Sequence, residues 1–164
     1  MVHRALLLLV LLVGCGAAAP PSAPAPSAPP PRATNAHTAW PAGTTRRFTA
    51  RWTDGGEPWV YDALITLHYD GRAVVGEIAW TLVVADPAYP DLVARQGSSA
   101  VESVVGSYFP GEGRLDLSGR SVSDSSLIGT DSYQLVLGRD GSLVGRTRSD
   151  ESDWNGAISG RALE

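Results

Sequence analysis

Residues 59–84 read WVYDALITLHYDGRAVVGEIAWTLVV, and the fold follows from how this stretch is divided. Tyr61, Ala63, Ile65, Leu67 and Tyr69 alternate with Asp62, Thr66 and His68, a period of two that places the apolar side chains on one face of a strand. Asp70-Gly71 then breaks the pattern with residues that tolerate the positive φ of a tight hairpin turn. Beyond it Val74, Gly76, Ile78, Trp80, Leu82 and Val84 share one uncharged face. The stretch predicts two antiparallel strands, 59–69 and 73–84, with one face of each buried.

The same reading extends in both directions. Upstream, 45–53 carries Phe48, Ala50 and Trp52 on one face and Arg47, Thr49 and Arg51 on the other. Downstream, strands are predicted at 100–109, 114–122, 131–138, 142–148 and 154–163, separated by turns at 110–113, 140–141 and 149–153. No stretch beyond Trp40 keeps helical spacing over three turns. Eight strands in hairpin order leave two unpaired edges, and closing the sheet removes both. The expectation is an all-β domain, a single antiparallel meander closed into a barrel, with a sandwich as the alternative. The connection 85–99 is long for a hairpin, and Pro87, Tyr89, Pro90, Leu92 and Val93 give it an apolar component. A helical turn at 90–96, with Pro at its start and Gly97 past its end, fits a lid or a plug over the barrel mouth.

The N-terminus is built differently. Arg4 precedes nine apolar residues, 5–13, a run too short to span a bilayer as a helix. It ends in Leu12-Val13-Gly14-Cys15, which resembles the lipobox of bacterial lipoproteins. That resemblance implies cleavage before Cys15, lipidation of its thiol and anchorage to a membrane of the cell envelope. Gly16 after the cysteine implies the outer membrane where a host has one. Two or three acyl chains, at ~0.8 kcal/mol per buried methylene, hold a protein durably without a transmembrane helix. From 17 to 35, Ala, Pro and Ser fill 16 of 19 positions, so the segment reads as an unfolded spacer. At ~3.1 Å per residue it reaches roughly 60 Å. The predicted organisation is a signal peptide at 1–14, a lipidated cysteine and tether at 15–37, and a barrel domain at 38–164.

Ala50-Arg51-Trp52 resembles the Gly-x-Trp element that opens the calycins, the group of lipocalins and avidin-like barrels, with alanine in place of the glycine. Thr130-Asp131, with Tyr133 one position further on, resembles the later Thr-Asp-Tyr element of lipocalins. The resemblance implies a barrel that holds a small apolar ligand, with Arg148 or Arg161 packed on Trp52.

Composition excludes several function classes. All 13 basic residues are arginines against 17 acidic ones, for a net charge of −4, and loss of Arg4 makes the mature chain one unit more acidic. No basic cluster is present for nucleic acid. The single cysteine, Cys15, excludes an internal disulfide or a cysteine-based zinc site. His3, His37 and His68 are too dispersed to form a metal site or serve a nucleophile. Asp150, Glu151 and Asp153 lack calcium-loop spacing and read as a solvated turn. Glu77, Glu102 and Asp116 read as outward-facing charges, so no catalytic residue and no cofactor is expected. The candidate ligand-binding residues are Trp52, Trp80 and Trp154, inward beside Gly76, Gly145, Gly156 and Gly160, together with Tyr89 on the long connection. Trp40, ahead of the first strand, is expected to contribute little. The expected partners are the membrane, through Cys15, and a small apolar ligand or an envelope protein, the domain itself being monomeric. A structural or protein-interaction module with a solid core is the alternative.

Overall fold

Alternation closes the chain into a barrel. The computed structural model describes residues 39–55, 58–149 and 156–163. The predicted signal peptide and tether, Trp154 and the predicted acidic turn at 150–153 lie outside the described residues. Eight strands follow in order: β1 Thr44–Asp54, β2 Val60–Tyr69, β3 Val74–Val84, β4 Ser99–Phe109, β5 Arg114–Val122, β6 Asp131–Leu137, β7 Ser142–Ser149 and β8 Gly156–Ala162. Each is hydrogen-bonded to its sequence neighbours, and β8 returns to β1 to close the barrel. At that antiparallel seam Phe48 stands opposite Ala162 and Trp52 opposite Ile158. A single helical turn, α1 Pro90–Val93, interrupts the connection between β3 and β4, shorter than the 90–96 expected.

The quoted hairpin pairs as its pattern requires, with Ile65 opposite Ile78 and Leu67 opposite Gly76. Its turn differs from the expectation in one respect. Only Gly71 takes a positive φ, of 100°, while Asp70 keeps an ordinary backbone. Asp70 instead uses its carboxylate, whose Oδ1 accepts the N–H groups of Arg72 and Ala73, both at 2.7 Å. These bonds favour the ionised form and hold the Asp70 pKa below its usual range.

Inward positions fill the barrel away from the mouth. Phe48, Ile65, Leu67, Val74, Ile78, Leu115, Leu135, Leu137 and Leu143 have no solvent exposure. The end of the barrel where β1 begins is stoppered by aromatic side chains. Trp40 lies there at 3% exposure, 5.9 Å from the Tyr69 ring and 5.6 Å from Tyr108. Arg46 covers its outer face, 5.6 Å from the ring centre, and donates to the Ala39 carbonyl at 3.0 Å. Trp40 is therefore a core residue, contrary to the sequence expectation. Its place ahead of the first strand carries no periodic signal, yet the chain folds back under the barrel there.

Candidate functional site

The opposite end of the barrel is open enough to hold a cavity of about 310 Å³. Strand alternation supplies its walls: Trp52 near the end of β1, Tyr61 near the start of β2, and Trp80 on β3. Trp59, just before β2, completes the aromatic side. Tyr61 meets Trp52 edge-on, centres 5.7 Å apart at 69°, and meets Trp80 edge-on at 6.2 Å and 79°. Adjacent rings thus turn their faces in different directions, an arrangement suited to ring quadrupoles.

Two connections bound the mouth. Leu92 of α1 lines the cavity from one, and Leu127, Ile128 and Gly129 line it from the β5–β6 connection. Leu82, Ala85, Ala100 and Leu127 form a small apolar cluster beneath them, separate from the main core. Polar ties fix the connections to each other and to the barrel. Arg95 pairs with Asp124 and donates to Ser126, and the Tyr61 hydroxyl donates to the Leu127 carbonyl at 2.9 Å.

The buried polar residues among those described are Glu102 and Thr147, and both line this cavity. Glu102 is 1% exposed. Its Oε2 accepts the Trp80 Nε1–H at 3.2 Å and a short bond from the Tyr133 hydroxyl, while Oε1 accepts the Asp131 backbone N–H at 2.9 Å. Loss of solvent disfavours the anion more than these three donors restore it, and the Glu102 pKa is pushed up to about 7. Burial likewise raises Tyr133 well above the ordinary tyrosine range, and the neighbouring Glu102 adds to the effect. Glycine makes the space for this group: a Cβ at Gly119 would collide with Glu102 Oε1 and crowd the Asp131 backbone nitrogen. A second glycine acts similarly. The Trp52 Nε1–H donates to Thr147 Oγ1 at 2.7 Å, and a Cβ at Gly156 would strike both partners.

Trp52 and Trp80 are together in the cavity, as the sequence reading places them. Tyr89 is 52% exposed and packs on Trp59, ring centres 5.4 Å apart, outside the cavity lining. Glu102 overturns its reading as an outward charge. In β4 both alternating tracks are partly apolar, and the charged residue was assigned to solvent by type. Register held the signal, because Glu102 stands directly opposite Ile78, whose inward direction was legible. Glu77 is exposed, as expected, and Asp116 is half-buried beside Arg114.

The arginine expected over Trp52 is absent from that ring. Among the described residues, the rings with an arginine over them are Trp40 and Phe109. Arg148 and Arg161 both sit at exposed strand positions, adjacent in sequence to the inward Thr147 and Gly160. Alternation explains the difference, since a residue next to an inward one points outward.

The chain matches no protein-family model and no curated protein.

Proposed function

We propose that this chain is a lipid-anchored protein of the cell envelope whose barrel binds a small, largely apolar ligand through its open end. The observation that carries the binding reading is the cavity itself. A barrel of eight strands has an interior just wide enough to be packed solid or to hold one small molecule. Here the core is solid at the Trp40 end, while aromatic walls enclose free space at the other. Aromatic and aliphatic side chains share the lining with placed polar groups, Glu102 and Thr147 buried among them, as in a small-molecule site. The outward apolar residues give weaker support to the alternative of a protein-interaction module. Val136 and Val144 face each other across β6 and β7 at 41% and 48% exposure, a small pair on an otherwise mixed surface.

The binding reading is tested with N-phenyl-1-naphthylamine, a neutral probe that fluoresces in apolar surroundings. One saturable site per chain is expected, and Ile128→Trp, which narrows the mouth, should remove it without lowering the unfolding midpoint. A wild-type chain that shows no saturable site refutes the reading. The anchor is tested separately. Cys15→Ser should release the protein from membranes, and failure of a labelled fatty acid to mark the wild type would disprove the lipoprotein assignment.

A further inference from the structure

We propose that the occupant of this cavity is an organic cation, a small molecule carrying an ammonium or quaternary ammonium group on an apolar body. The proposal rests on the reading of the barrel as a ligand-binding domain and narrows its ligand class.

Three observations converge on it. The ionisable side chains lining the cavity, apart from tyrosines, are Asp54, Glu102 and Asp131, and no arginine or histidine is among the described lining residues. Arg95 is close enough to act on Tyr61, but its guanidinium is engaged by Asp124 and Ser126. The charged side chains of the described lining are therefore carboxylates, which favour a cation over an anion.

The second observation is how the aromatic wall uses its hydrogen atoms. Trp52 gives its ring N–H to Thr147, Trp80 gives its own to Glu102, Tyr133 gives its hydroxyl to Glu102, and Tyr61 gives its hydroxyl to Leu127. These donors are all taken by protein acceptors. What the rings have left to offer a ligand is their electron-rich faces, which attract cations. The third observation is the steep angle at which Tyr61 meets both Trp52 and Trp80, so that the ring planes around the cavity are not parallel. Glu102, buried at 1% exposure, then supplies a counter-charge that water does not screen.

Charge is isolated from shape by two probes of the same outline, phenyltrimethylammonium and tert-butylbenzene, in which a quaternary nitrogen replaces a quaternary carbon. Each is titrated against the full-length chain carrying Cys15→Ser, so that no acyl chains compete, with tryptophan fluorescence as the readout. The cation should bind about tenfold more tightly or better than the hydrocarbon. Glu102→Gln should weaken the cation by about tenfold relative to the hydrocarbon. Because that variant also turns one acceptor oxygen into a donor, the wild-type pH profile gives an independent measurement. Affinity for the cation should fall as pH drops below about 7, where Glu102 takes up a proton, while the hydrocarbon profile stays flat. The other ionisable groups facing Glu102 are Tyr133 and Asp131 on β6, with Tyr61 on β2 and Asp54 on β1 lining the same space.

Equal affinity for the two probes, or a flat cation profile, overturns the charge inference while leaving a neutral-ligand site standing. If neither probe binds and N-phenyl-1-naphthylamine also fails, the ligand-binding reading falls with it.

Discussion

Glu102→Gln should change how the stability of the domain depends on pH more than it changes stability at any single pH. In the unfolded chain the carboxyl titrates near its ordinary value of 4.5, whereas in the barrel it titrates at about 7. Between those values the folded state holds a proton that the unfolded state has released. Stability must then fall as pH rises through this window and level off above about 7. The gap corresponds to about 3 kcal/mol at ~1.4 kcal/mol per unit, with a maximal slope of that latter size per pH unit. Glutamine keeps the shape but does not titrate, so the variant loses this component of the slope. Every other group is common to both chains and cancels in the difference. The assay is urea unfolding followed by tryptophan fluorescence at pH 5, 6, 7 and 8. Wild type minus variant should drift by about 3 kcal/mol toward the variant across the series. Parallel stability curves for the two chains would refute the placement of a titrating carboxyl inside the barrel.

Gly119→Ala should lower stability by ~2 kcal/mol or more, because its methyl group meets the Glu102 carboxylate and the backbone of β6. Thermal melts of the single variant and of Gly119→Ala/Glu102→Ala check this, and a double variant no better than the sum of its parts removes the steric account. Trp40→Ala should cost ~3 to 5 kcal/mol and exceed Trp52→Ala, since Trp40 is buried on all sides and Trp52 borders a cavity. Denaturant midpoints in the reverse order would contradict the stoppered end. A chain beginning at Thr38 should unfold in one cooperative transition with the midpoint of the longer protein, measurable by circular dichroism.

Most of the barrel was legible because strand periodicity is a strong local signal. Phe48, Ile65, Leu67 and Ile78 could be placed inward from their neighbours alone, and the Asp-Gly turns fixed where strands reverse. Closure was legible only by elimination, through the cost of two open edges, because nothing local in β1 names β8 as its partner. The site was half legible. Trp52 and Trp80 lay on readable apolar faces, and Trp59 shares the parity of Tyr61 and Ala63, but Leu127 reaches the cavity from the β5–β6 connection, where no period applies. Glu102 was not legible because both tracks of β4 are partly apolar and register is not a local signal, and Trp40 because its partners Tyr69 and Tyr108 are distant in sequence. Arg148 and Arg161 show the converse error, in which a resemblance suggested a contact that alternation forbids.

The seam between β1 and β8 has a consequence for how the protein is made. The barrel's first strand finds one of its two partners in the strand of the barrel that is synthesised last. Until then the edges of β1 and β7 carry unpaired backbone groups, which invite pairing with other chains. Such distant pairing also slows folding, since chain entropy is lost before the contact compensates for it. Loss of β8 alone, Gly156–Ala162, should therefore yield an aggregating polypeptide rather than a slightly weaker barrel. A stop codon between β7 and β8 would be as damaging as one in the middle of the barrel.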